Sequence, residues 1–192
     1  MVADNKKAIF KYISSISIVI LVTLITTITL HEPTNNRFKT TLGLFSNDYE
    51  IIDKATAWRL PLWETATNAF IANPVNGIGP RGFRFVYQDY APANDYWETQ
   101  THPHLLTLEI LAETGLIGLL GYITFIYIIL HGFFKRRAFA KEFPFLIPVI
   151  VALFPLNAHM AFYGSIWSSM SWWLIAIYFS SIRLKIHENT NY

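Results

Sequence analysis

The sequence predicts an all-α integral membrane protein with about four transmembrane helices and one large external loop. Three observations lead there. Hydrophobic residues make up 53% of the 192-residue chain, and they come in long runs rather than alternating with polar ones. Charged residues make up only 15%, against about 25% in an ordinary soluble domain. Nine of the 15 Lys and Arg residues lie in three clusters near the ends of the apolar runs, all on one side if there are four spans. The same composition excludes disorder, which needs low hydrophobicity and high charge. There is no Cys, hence no disulfide framework, thiol nucleophile or Cys-ligated metal. A net charge of +2 is too small to argue for a nucleic-acid partner.

A helix needs about 20 mainly apolar residues to cross a bilayer core of about 30 Å. Residues 1–30 hold a cytoplasmic N-terminus and the first span, Ile9 to Leu30. Lys11 near its start can snorkel to the interface, and its Ser and Thr hydroxyls can bond back to helix carbonyls. The run is too long for a typical signal-peptide core, and no small-residue cleavage site precedes His31. Residues 31–104 form the external loop. Residues 105–134 form the second span, long enough to begin outside the bilayer and enter at a tilt. A basic cytoplasmic loop, 135–142, carries Lys135, Arg136, Arg137 and Lys141. Residues 143–182 are too long for one span, and Pro155, Asn157, His159 and Gly164 divide them into a helix pair with a turn near Asn157–Gly164. Arg183 and Lys185 open a cytoplasmic tail, 183–192. With Lys6, Lys7 and Lys11, the three basic clusters then share the cytoplasmic side.

The external loop, about 70 residues, is far longer than a connection requires. Asp53 to Ala72 carries Trp58, Leu62, Ala66, Ala69 and Phe70 at helical spacing, which predicts an amphipathic helix at the membrane surface with Trp58 and Trp63 at the headgroups. Pro61 suits a first helical turn, which would make the stretch before it a separate piece. Asn73-Pro74-Val75-Asn76-Gly77-Ile78-Gly79-Pro80 is a run of turn formers that bends the chain sharply. Arg81 to Tyr90 interleaves Arg81 and Arg84 with Phe83, Phe85, Tyr87 and Tyr90. The chain returns to the membrane at Thr101-His102-Pro103-His104.

Asn73-Pro74 with Gly77-Ile78-Gly79 and Phe83, then His104, Leu108-Glu109 and Glu113-Thr114-Gly115-Leu116-Ile117-Gly118, resembles the O-antigen ligase and O-antigen polymerase family. Its functional marks are an Arg before the turn, in an R-x-x-x-W context, and a His opening the helix that carries E-T-G. Arg59 with Trp63 matches the first and His104 the second. The ending, Phe154-Pro155 through Ser168-Ser169 and Trp172-Trp173, is similar to the family's closing helix pair. Two departures stand out. Members usually carry Asn after the His, where this chain has Leu105. Members are also about twice this length, so the chain resembles a C-terminal half, and a partner protein supplying an N-terminal half is implied.

The resemblance implies transfer of a glycan from undecaprenyl pyrophosphate to a lipid A–core sugar hydroxyl in lipopolysaccharide biosynthesis. The alternatives are a polymerase, whose acceptor is a second lipid-linked glycan, and a non-catalytic subunit or truncated remnant. Location in the bacterial inner membrane, multi-pass with the active face periplasmic, follows from the same likeness. A pyrophosphate leaving group needs fixed positive charge, which suits Arg. An acceptor hydroxyl needs its proton taken, which suits His. Arg59 and His104 are therefore the catalytic candidates, and Arg81, Arg84 and His102 the secondary substrate-binding ones. No cofactor is expected.

Each residue also has a plainer reading. Arginines beside a membrane ordinarily meet lipid headgroups, and a His before a helix ordinarily caps it. His102 and His104 near Asp95 and Glu98 make only a weak metal signal without a third ligand on a fixed element. Glu109 and Glu113 lie four apart on one helix face; acids there are functional by default, yet Glu113 also suits support of a turn at Gly115. Gly115, Gly118 and Gly121 suit close helix packing, and His159 suits a structural role. Gly77-x-Gly79-x-x-Gly82 fits a dinucleotide fingerprint by letter only, since no parallel-sheet pattern surrounds it.

Overall fold

A computed structural model describes residues 2–93, 95–137, 139–158 and 161–190, with side chains described from 14 to 182. His159 lies outside the described residues, as do the side chains of Lys6, Lys7, Lys11, Arg183 and Lys185. Eight α-helices and no strand occur among the described residues. One of the helices is long and apolar enough to cross a membrane. A second candidate exists only if a pair of helices bent by 96° is counted as one span. The chain divides into two compact units, Met1–Trp58 and Arg59–Tyr192.

In the first unit, α1 (Val2–Leu30) is followed across one residue by α2 (Glu32–Leu42). Thr23, Thr27 and Thr29 each donate to the carbonyl four residues earlier, at 2.8, 2.8 and 2.9 Å, so their hydroxyls cost nothing in an apolar setting. Pro33 sits in the first turn of α2, where its missing N–H is no loss. A 3-10 turn (Gly43–Phe45) leads to α3 (Tyr49–Ala55). Asp48 caps α3, accepting from the Glu50 amide at 2.9 Å.

In the second unit, α4 (Leu60–Ala72), α5 (Phe83–Tyr90), α6 (Leu106–Arg136), α7 (Phe139–Ala152) and α8 (Ser165–Thr190) build two cores along α6. Leu62, Ala66 and Ala69 of α4 pack with Phe83 and Tyr87 of α5 against Ala112 of α6. Further along, Ile129 and Phe133 of α6 pack with Leu146 and Val149 of α7 and Ile175 and Tyr178 of α8. Arg136 closes that end, donating two bonds to Glu142 from Nε and one from Nη2 at 2.9–3.1 Å, and one to Tyr178 at 2.8 Å.

The stretch Asp53–Ala72 is not one helix. α3 stops at Ala55, Ala57 and Trp58 take left-handed backbone, and α4 begins at Leu60 with Pro61 in its first turn. Its apolar face is covered by protein, and Trp63 packs on the same core rather than standing apart from it. Arg81–Tyr90 contains the two-turn helix α5, which buries Phe83 and Tyr87.

Candidate functional site

The site region is built where the loop 73–82 meets α6. Gly115 breaks the helix, with φ 61° and ψ −157°, a combination essentially confined to glycine. In an unbroken helix the amides of Leu116 and Ile117 would reach the carbonyls of Ala112 and Glu113. Here they donate to the loop instead, Leu116 to the Pro74 carbonyl at 2.9 Å and Ile117 to that of Val75 at 3.3 Å. The freed carbonyls are taken by loop amides, Ile78 on Ala112 and Gly79 on Glu113, each at 2.9 Å. The two segments thus exchange four backbone bonds, which give partners to two amides and two carbonyls that the kink opens on α6.

That exchange demands backbone-to-backbone approach. A Cβ on Gly115 would lie 2.4 Å from the Val75 oxygen, and one on Gly77 would lie 2.4 Å from the Glu113 carbonyl carbon. Gly77 also has φ 65°. The two glycines are therefore required reciprocally, each by the other's segment. Asn73 secures the loop's start, its side-chain amide donating to the Ala69 carbonyl at 3.2 Å and to the Tyr90 hydroxyl at 3.0 Å.

The acids on α6 fasten two further segments. Glu113, 1% exposed, accepts from the backbone amide of Arg81. Glu109, 2% exposed, accepts from the amide of Tyr163, in the α7–α8 connection, at 3.2 Å. Thr114 donates its one hydroxyl hydrogen to the Ile110 carbonyl at 2.8 Å, so Tyr163 is the donor in their 3.0 Å contact. The first amides of α6 bind the same connection: Leu106 donates to the Asn157 carbonyl at 3.0 Å and Thr107 to that of Pro155 at 3.2 Å.

Of the sequence candidates, Arg81 touches this hub directly, through its amide on Glu113. Arg81 and His104 both have left-handed backbone, φ 61° and 53°, which costs a non-glycine residue about 1–2 kcal/mol. Such strain persists where the surroundings enforce it and gathers at functional sites. The rings of His102 and His104 lie with centroids 3.9 Å apart and planes tilted by 51°. Arg84 lies over the Phe85 ring at 5.8 Å, and its Nε is buried without a hydrogen-bond partner. Arg59 is the N-cap residue of α4, one turn before Trp63, whose amide donates to the Arg59 carbonyl at 3.0 Å. Among the described residues no carboxylate forms an ion pair with Arg59 or Arg81. No group of three His, Asp or Glu side chains there is placed to hold a metal.

A cavity of about 410 Å³ opens beside the hub between α6 and α8. Gly118, Gly121 and Phe125 form one wall and Ser171, Trp172 and Ile175 another, with Tyr163 also in the lining. Its lining is predominantly apolar, and Ser171 Oγ is buried there without a partner.

The glycines, Glu113 and the candidate cations stand out in the sequence, but the roles of Glu109 and Tyr163 do not. Glu109 and Tyr163 are 54 residues apart, and nothing in the local pattern of either marks the other. The only signal was the four-residue spacing of two acids on an otherwise apolar helix face.

No curated protein and no solved structure matches the chain. The family described as O-antigen ligase matches residues 2–123, a stretch that includes Arg59, the loop, His104 and the Gly115 kink. Since the match spans more than half of the chain, this protein belongs to the O-antigen ligase family.

Proposed function

We propose that the chain is a ligase-type glycan transferase of the inner membrane, with four spans and its 31–104 segment on the periplasmic face. It moves a glycan from undecaprenyl pyrophosphate to a sugar hydroxyl of lipid A–core. The observation that carries this reading is the four-bond exchange between Pro74–Gly79 and Ala112–Ile117. It fastens the Arg-bearing loop to the helix that His104 precedes, inside the stretch shared with the family.

In the proposed reaction His104 takes the proton of the acceptor hydroxyl as its oxygen attacks the anomeric carbon. The bond from that carbon to the pyrophosphate oxygen breaks, and undecaprenyl pyrophosphate leaves with the bonding pair. Arg59 bears the growing charge on the leaving group, with Arg81, Arg84 and His102 as additional contacts for phosphate and sugar. Guanidinium groups without a carboxylate partner keep their donors available for a phosphate. Direct displacement inverts the anomeric configuration. The apolar cavity beside the hub suits a section of the polyprenyl chain, which needs a dry wall and few polar groups.

Proteoliposomes containing this chain, lipid-linked glycan and lipid A–core test the reading. Glycan transferred to the core with inversion supports it. Transfer only to a second lipid-linked glycan makes the protein a polymerase. No transfer by folded protein removes the claim that the chain is catalytic by itself.

A further inference from the structure

We propose that α2 and the 3-10 turn after it form a membrane-surface anchor, seating Phe38, Leu42 and Phe45 at the boundary between lipid headgroups and acyl chains. The three side chains are 47%, 51% and 87% exposed. Their spacing of four and then three places them on one stripe of a helical surface. At the end of this element the other side is covered: a Cβ on Gly43 would lie 2.8 Å from Ile51 Cγ2 and 3.5 Å from Ala55 Cβ, because α3 packs there. The unit thus covers the glycine side of this element and leaves its largest apolar side chains open. For a surface in water that is the wrong way round; for one against lipid it is the right way.

The occupant follows from what adjoins the stripe. α1 ends at Leu30 and α2 starts at Glu32, with a 96° bend between them. A helix running along the membrane normal would therefore deliver α2 parallel to the surface. On α1, Ile18, Val19, Ile20 and Leu21 are consecutive and 55–64% exposed, so every face of that turn is apolar and open, as lipid contact requires. Arg37 and Lys39 flank Phe38 on α2, each roughly 100° around the helix from it. From there their long stems can run along the apolar boundary to phosphate groups. These features fit a lipid surface containing anionic headgroups. The inference rests on the spanning role proposed for α1 but not on any transfer chemistry.

The absence of Cys from the chain makes site-directed spin labelling clean. Single variants Phe38→Cys, Leu42→Cys, Phe45→Cys, Asn36→Cys and Val22→Cys, all at exposed positions, are labelled in the full chain. They are then reconstituted in phosphatidylethanolamine–phosphatidylglycerol vesicles. Collision with oxygen, which enriches in lipid, is compared with collision with an aqueous nickel chelate. The expected result is oxygen access severalfold above nickel access at 38, 42 and 45, the reverse at 36, and the strongest oxygen preference at 22. Nickel access at 38, 42 and 45 with a lipid-exposed 22 overturns the anchor alone. Labels at 38, 42 and 45 that neither reagent reaches show a protein partner on the stripe, and also overturn it. A water-exposed 22 overturns the spanning role of α1 and the anchor with it, and leaves the transfer reading to its own assay.

Discussion

Replacing Gly115 with Ala should unseat the loop without unfolding α6. The added Cβ would lie 2.4 Å from the Val75 oxygen and 2.5 Å from its carbon. Both are backbone atoms, so no rotamer change relieves the clash, and the backbone at φ 61° adds strain of about 1–2 kcal/mol. The variant has an escape: α6 can straighten and return the Leu116 and Ile117 amides to the Ala112 and Glu113 carbonyls. Four exchanged bonds are then replaced by two helical ones, a net loss of two. At about 0.5–1.5 kcal/mol per bond, stability falls by about 1–3 kcal/mol. The signature is asymmetric. Hydrogen exchange in detergent micelles should show the Ile78 and Gly79 amides losing protection while Leu116 and Ile117 keep it. Gly121→Ala is the control, since its Cβ meets nothing within 4 Å and Ala suits a helix better by about 1 kcal/mol. Unchanged protection at Ile78 and Gly79 in Gly115→Ala, or the same loss in Gly121→Ala, would refute the reciprocal-glycine argument.

Further outcomes follow from other contacts. Leu105 is the N-cap residue of α6, with extended backbone and no side-chain cap, so Leu105→Asn should accept from a first-turn amide and stabilise by about 1 kcal/mol; a melting temperature no higher than wild type contradicts this. Arg136→Met leaves Glu142, 2% exposed, without its partner. The Arg136 side chain is 33% exposed, so the loss should fall below the ~3–5 kcal/mol of a fully buried pair, and thermal melting with the Glu142→Gln double variant should recover part of it. Gly121→Phe would fill the cavity between α6 and α8; the proposal expects a raised KM for the lipid-linked donor with unchanged exchange at Ile78 and Gly79, and an unaltered KM would remove the cavity from the donor site.

The helices were legible where one residue type forces the backbone. Pro61 placed the start of α4, and the division of 143–182 follows the Pro155–Gly164 breakers, with α7 ending at Ala152 and α8 starting at Ser165. The turn at 73–80 was equally readable from its Asn, Pro and Gly content. Its seat was not, because hydrogen bonds between the loop and α6 join residues more than 30 apart and main-chain bonding carries no side-chain signature. Gly115 illustrates the difference. Its neighbours Gly118 and Gly121 made it look like part of a small-residue stripe for helix packing, yet its backbone is non-helical and its close partner is a loop. Arg59, Arg81, Arg84, His102 and His104 were identifiable by type and motif, while the left-handed backbone at Arg81 and His104 emerges only from the folded chain.

In the proposed reaction Arg59 and His104 perform transfer on a platform made by the loop and α6. The most direct test is single-turnover transfer in proteoliposomes by wild type, Arg59→Ala and His104→Ala, each with the hydrogen exchange of Ile78 and Gly79 measured alongside. Both variants should lose transfer by at least about a hundredfold, His104→Ala through loss of the general base and Arg59→Ala through loss of charge stabilisation on the leaving group, while both amides stay protected. Transfer that survives in His104→Ala with the platform intact would contradict it.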